Sequence, residues 1–160
     1  MKATAVRLTR EHAREVLGKI EAELGNSPGR SALKTVARTL NSDVQTYSWV
    51  GVYLVEGSEL VLDAWSGPEA TEHTRIPIGK GVCGFAAKAG RTEIVSDVGK
   101  DSRYLECFPS TRAEIVVPIF NHERVVGEID IDSDQLEAFS SLDQELLEAV
   151  ARKLGPHCVG

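Results

Sequence analysis

Four carboxylates fall on the two flanks of one short stretch of this 160-residue chain, and their spacing decides where chemistry could occur. From Ala113 the sequence reads Ala-Glu-Ile-Val-Val-Pro-Ile-Phe, then a polar turn Asn121-His122-Glu123, then Arg-Val-Val-Gly-Glu-Ile-Asp-Ile-Asp-Ser133. Both flanks are rich in β-branched residues and alternate, which predicts two antiparallel strands joined by a short hairpin. Alternation places Ile115, Val117 and Ile119 on one face, and Glu114, Val116 and Pro118 on the other. On the return strand, Gly127, Ile129 and Ile131 oppose Val126, Glu128, Asp130 and Asp132. A three-residue loop would set Glu114 opposite Asp130 on the same face. Like charges so placed destabilise a sheet, and desolvation would raise at least one pKa. Two readings stand at this point: a solvated acidic face, or a pocket floor for a small ligand that carries a positive charge or an oxygen able to accept a proton.

Cysteine is the second chemically capable residue type. Cys83 follows Gly79-Lys80-Gly81 and opens a run of small apolar residues, so it is expected near a helix start, where the dipole lowers a thiol's pKa. Cys107 lies in a loop two residues before Pro109, and Cys158 in the tail is expected to be exposed and chemically incidental. A lone cysteine is commonly a small buried hydrophobe, so both Cys83 and Cys107 also admit a packing role. Trp49 and Tyr53 share a face of one strand, where they are either core or the walls of a ligand pocket. Zinc ligation by His73, Cys83 and Cys107 lacks paired ligands at short spacing, so no metal is expected. The G-x-G of residues 79–81 lacks the third glycine and the following acidic residue of a dinucleotide site.

The rest of the chain must position these groups. Apolar residues Ala13, Val16, Leu17, Ile20 and Leu24 mark a first helix, and Leu33, Val36, Ala37 and Leu40 a second, with Ser27 and Pro28 as its expected start. Tyr47–Val55 is apolar on both faces and predicts a central strand, which turns at Glu56-Gly57-Ser58 and returns through Leu60–Trp65. Short strands are expected at His73–Ile78 and Thr92–Val95, and a turn of helix around Tyr104-Leu105. Ser141-Leu142-Asp143-Gln144 has a capping-box pattern ahead of a last helix that buries Leu146, Leu147, Val150 and Leu154. The order implies one α+β domain over residues 1–160, with N-terminal helices in 10–40 and a core in 47–154, built on a single antiparallel sheet.

Composition narrows the function classes. A net charge of −6 argues against a nucleic-acid surface. No apolar run approaches the ~20 residues of a membrane span, and the N-terminal residues lack the apolar core of a signal peptide. Three cysteines without a C-x-x-C pair do not make a secreted disulfide framework, so a cytoplasmic protein with reduced thiols is expected.

Trp49-Val-Gly-Val-Tyr-Leu, Arg75-Ile-Pro-Ile-Gly-Lys-Gly-Val-Cys83-Gly, Glu114-Ile-Val-Val-Pro and Asp130-Ile-Asp-Ser133 resemble a GAF domain, and within it the free methionine-(R)-sulfoxide reductases. That resemblance implies an antiparallel sheet with helices on one face and a ligand pocket on the other. It implies Cys107 as nucleophile, with Glu114, Asp130 and Asp132 in the substrate pocket. It also implies an external thioredoxin-like reductant and no cofactor. His73 stands where these enzymes usually carry a resolving cysteine, which leaves Cys83 as the resolver, and Phe108-Pro-Ser-Thr-Arg-Ala113 departs from their small, serine-rich segment. The alternative function is a regulatory GAF module that binds a small molecule without chemistry, its acids recognising a ligand amine. The apolar stripes of the N-terminal and last helices suggest a symmetric homodimer.

Overall fold

The computed structural model describes residues 7–159; the N-terminal stretch read above for a leader therefore lies largely outside the described residues. Helices α1 (Arg10–Leu24) and α2 (Ser31–Asp43) lead into strands β1 (Trp49–Glu56), β2 (Glu59–Ser66) and β3 (Arg75–Pro77). Helix α3 (Gly81–Ala89), strands β4 (Glu93–Val95), β5 (Ala113–Asn121) and β6 (Arg124–Ser133), and helix α4 (Ser141–Leu154) follow. The strands form one six-stranded antiparallel sheet in the order β3-β2-β1-β6-β5-β4. No helix among the described residues is long and apolar enough to cross a membrane.

Strand alternation sorts the apolar residues into two cores. Val50, Val52, Ile115, Val117, Ile129 and Ile131 meet the buried stripes of α1, α2 and α4, including Ile20, Leu33, Val36, Leu147 and Val150. The opposite face carries Trp49, Tyr53 and Val116, which pack against Val82 and Ala86 of α3 and Phe108 of the following loop. The expected arrangement of helices on one face and a pocket on the other holds, with α3 lying across the pocket face.

Several local expectations shift for identifiable reasons. Helix α2 starts at Ser31 rather than at Ser27-Pro28, because Gly29 is left-handed at φ 59° and cannot continue a helix. The capping box is Ser140 with Asp143: the Ser140 N–H donates to Asp143 Oδ2 at 2.8 Å, and Ser140 Oγ accepts from Leu142 N–H. The 3₁₀ turn falls at Val98–Lys100 instead of Tyr104-Leu105, because the Asp97 side chain accepts from Gly99 N–H at 3.0 Å. Cys158 is buried, not exposed. A 3₁₀ turn at Gly155–His157 folds the tail back onto the helix-side core, and burial raises this thiol to about 11.

The hairpin itself differs by two residues in register. Its loop is His122-Glu123, and a bulge between Ile119 and Phe120 makes up the offset, so Glu114 pairs with Asp132 and Asp130 faces Val116. Because the shift is even, every side chain keeps its expected face.

Candidate functional site

Strand β6 is central, and each of its acids is flanked on both sides. Asp132 lies between Trp49 and Glu114, Asp130 between Gly51 and Val116, and Glu128 between Tyr53 and Pro118. Glu114, Glu128, Asp130 and Asp132 are all buried. The acidic face is therefore not a solvated surface, and two of its acids, Glu114 and Asp130, border a small cavity. Glu128 joins the file through the same period-2 alternation that marked Asp130 and Asp132.

Helix α3 brings Cys83 over this floor. The approach depends on glycine: Gly81 is left-handed at φ 71°, and a Cβ on Gly84 would lie 2.6 Å from the Pro77 carbonyl oxygen. Cys83 Sγ then sits 3.9 Å from Glu114 Oε2. Cys107, on the loop after α3 and β4, reaches the same place from the other side, its thiol donating to the Leu105 carbonyl at 3.6 Å. Cys83, Cys107, Glu114 and Asp130 share the lining of one buried cavity with His73, Ile76, Val82 and Leu105.

That cavity measures only about 10 Å³, room for roughly one water molecule. The segment over it is tied down at both ends. Arg103 makes paired contacts to Asp101 at 2.7 and 3.0 Å, stacks over Phe85 at 4.6 Å and reaches Glu93. Beyond the segment, Arg112 N–H donates to the Ser133 carbonyl at 2.8 Å. Between these ends the His73 ring nitrogen Nε2 is 2.9 Å from the Glu106 carbonyl oxygen, while the His73 carbonyl accepts from Tyr53 Oη at 2.7 Å. Tyr53 and Trp49 stand on the acid face but do not line the cavity. Trp49 Nε1 donates to the Glu69 carbonyl at 3.2 Å, and its ring packs between Trp65 and Phe108. Asp132 likewise sits beside the cavity, behind Glu114. Of the cavity residues, Ile76, Val82 and Leu105 had no mark in the sequence beyond being apolar.

No described lysine or arginine lines this cavity, and His73 is the one lining side chain that can carry positive charge toward Asp130. Among the described residues, no buried side chain is Lys or Arg. Desolvation, followed by repulsion from Asp130 and Asp132, holds the Glu114 carboxyl well above its usual range. Burial does the same to Asp132 and Glu128, with Asp130 adding to both. Asp130 is raised by burial too, against the opposing pull of hydrogen bonding to Glu114 and Cys83. The expected lowering of Cys83 does not occur. Burial pushes this thiol well up, and the facing carboxylates outweigh the helix dipole. Cys107 is raised to about 12 by burial and then by Asp130 and Asp132. A larger groove of about 830 Å³ lies elsewhere, between Phe120 and α4, but it is lined by no cysteine. The small cavity brings together two thiols and two carboxyls, Glu114 and Asp130, whose pKa values burial raises.

The GAF domain family matches residues 29–156. This chain belongs to the GAF domain family. GAF domain-containing protein A of Dictyostelium discoideum is 36% identical over 146 residues, which cover 90% of each chain. A free methionine-R-sulfoxide reductase of Saccharomyces cerevisiae is 40% identical over 116 residues, 70% of this GAF protein and 63% of that one. The X-ray structure of the free methionine-R-sulfoxide reductase from Neisseria meningitidis, solved in complex with its substrate, superimposes with a TM-score of 0.86 at 36% identity. That match covers 99% of this GAF protein and 96% of the Neisseria chain.

Proposed function

We propose that this GAF protein reduces the sulfoxide of free methionine, R epimer, with Cys107 as nucleophile. The convergence on one buried cavity of two thiols with Glu114 and Asp130, carboxyls whose pKa values burial raises, carries this reading. The similarity to enzymes of that name supports it. The substrate ammonium pairs with the carboxylates, and this pairing also activates the nucleophile. Asp130 and Asp132 help to raise the Cys107 pKa, so a cation bound against them lowers it.

The Cys107 thiolate attacks the sulfoxide sulfur while a protonated carboxyl of the Glu114, Asp130 and Asp132 group donates to the oxygen. Attack joins the two sulfurs; the protonated oxygen then passes to the Cys107 sulfur as the sulfur–sulfur bond and the substrate's sulfur–oxygen bond break, so methionine leaves and Cys107 holds the oxygen as a sulfenic acid. Attack by the Cys83 sulfur releases that oxygen as water and forms a Cys83–Cys107 disulfide. A thioredoxin-like dithiol then reduces the disulfide, so one sulfoxide consumes one dithiol. No cofactor takes part. Substrate binding requires the 104–110 segment to swing outward, since about 10 Å³ cannot hold an amino acid.

A thioredoxin-coupled turnover assay tests this reading. The R epimer of free methionine sulfoxide is consumed, while the S epimer and the same residue within a peptide are not. Equal rates on a blocked peptide overturn the substrate assignment. Tight binding of an amino-acid ligand with no turnover of any sulfoxide makes the protein a regulatory module instead. The thiol chemistry suits a cytoplasmic setting, where cysteines stay reduced. We also propose a homodimer through α1 and α4, whose groove combines Ala13, Leu17, Leu142 and Leu146 with Arg10 and Glu145. A monomer mass by light scattering at micromolar concentration would count against it.

A further inference from the structure

We infer that the buried cavity is a binding site for a single sulfur-seeking divalent cation, zinc in the first place, held by Cys83, Glu114 and Asp130. Among the described residues, the thiol of Cys83 and one carboxylate oxygen each from Glu114 and Asp130 all lie within 4.8 Å of one another, and all three side chains are buried. This is a different set from the His73, Cys83 and Cys107 trio considered from the sequence, and it does not depend on any particular reaction of the site.

Three observations converge on it. The first is geometry: a tetrahedral zinc with Zn–S about 2.3 Å and Zn–O about 2.1 Å sets its sulfur and oxygen ligands ~3.6 Å apart. Cys83 Sγ and Glu114 Oε2 stand at 3.9 Å, so a few tenths of an ångström close the pair. The second is unpaired polar atoms. Asp130 Oδ1 is buried without a hydrogen-bond partner although Asp130 lines the cavity, and both oxygens of Glu128 and of Asp132 are likewise unpartnered close by. Buried carboxylates are normally paired or bound to metal. The third is volume, since about 10 Å³, with the 104–110 segment in place, suits one ion or one water.

Ligand chemistry selects the ion. Calcium takes six to eight oxygens and magnesium an octahedral, water-rich shell, and neither favours a thiolate. One thiolate with two carboxylates suits zinc, whose fourth position is left to the His73 ring, the Cys107 thiol or a water at the same cavity. Binding displaces the proton of Cys83 and any proton shared by Glu114 and Asp130, so it releases protons and tightens as pH rises. Once bound, the ion supplies the positive charge that no buried lysine or arginine provides, and it ties up Cys83.

Chelator-treated, reduced protein is titrated with Zn²⁺ against a chromophoric chelator, and with Co²⁺ by absorbance. Expected are one equivalent per chain and a thiolate-to-cobalt charge-transfer band that is lost in Cys83→Ser and kept in Cys158→Ser. Asp130→Asn should weaken Zn²⁺ at least about tenfold, since even indirect supporting groups contribute that much. A parallel measurement needs no variant: Zn²⁺ should protect Cys83 of the wild-type protein from alkylation, read by peptide mapping. The inference is overturned by failure to bind, by a charge-transfer band that survives Cys83→Ser, or by unprotected Cys83 in the presence of one equivalent of Zn²⁺. None of these readouts involves turnover, so they separate this site from the sulfoxide reaction.

Discussion

Glu114 and Asp132 face each other directly across the β5–β6 pair, and both carboxyls are buried. An aligned pair of acids in a dry sheet face is unfavourable when both are ionised. Burial raises the proton affinity of both acids, which eases this repulsion, and a ligand ammonium can take over that role. Stability, ligand affinity and nucleophile strength are therefore linked through one pair of side chains.

Stability of the ligand-free protein should fall as pH rises. Glu114, Glu128, Asp130 and Asp132 all have folded-state pKa values above their ordinary ones. Above the ordinary carboxylate range the folded state then binds more protons than the unfolded chain, which gives stability a negative slope with pH. The stabilisation is complete below about pH 4, the unfolded carboxylate range, and is lost as pH climbs through the raised values. Urea unfolding at a series of pH values checks this trend against losses from other groups, and Asp132→Asn should flatten the slope. An unchanged slope in that variant would show that Asp132 is ionised in both states.

Asp132→Asn and Glu114→Gln should stabilise the ligand-free protein while weakening ligand binding. Each removes an ionisable group from a buried site in which Asp132 finds no partner. Loss of a charge-assisted hydrogen bond to a substrate ammonium costs about 1.5–3 kcal/mol. Thermal melts and calorimetric titration with methionine sulfoxide measure the two effects separately. Unchanged affinity in both variants would remove these acids from the binding site.

Cys107→Ser should abolish even a single turnover. Cys83→Ser should allow one stoichiometric turnover and then fail to cycle with thioredoxin, because no third cysteine lines the cavity to replace Cys83. Mass mapping after one turnover of the wild type without reductant should find Cys83 joined to Cys107. Cys158 should remain free, since it is packed in the helix-side core on the other face of the sheet. Turnover that oxidises neither cavity cysteine would rule out the thiol mechanism.

Gly127→Ala should destabilise the sheet strongly without touching the acids. Gly127 pairs with Leu54 on β1, and a Cβ there would meet the Tyr53 carbonyl oxygen at 2.4 Å. Backbone cannot move aside as a flexible side chain can, so a loss in the range of about 1–3 kcal/mol or more is expected. Chemical denaturation gives the value, and a neutral result would mean that the β1–β6 pair relaxes freely.

Much of the architecture was legible because it rests on local periodicity. Alternation put Glu128, Asp130 and Asp132 on one face of their strand, an assumed three-residue loop brought Glu114 to the same face, and 3.6-residue spacing picked the buried stripes of α1, α2 and α4. What joins residues distant in sequence depended on packing. The bulge at Ile119/Phe120 chose Asp132 as the partner of Glu114, and nothing in the hairpin's composition distinguishes that register from one two residues away. Whether the face is wet or dry was decided by α3 and the Cys107 loop lying over it. The same placement reversed the expected effect on Cys83. A helix start favours a thiolate, but burial against Glu114, Glu128 and Asp130 opposes it more strongly, and only the assembled layers set those charges facing the sulfur. Cys158 follows the same logic. It stands in a short tail after the last helix, where exposure is expected, and its burial comes from a turn that closes against β5, a contact between elements that no local pattern encodes.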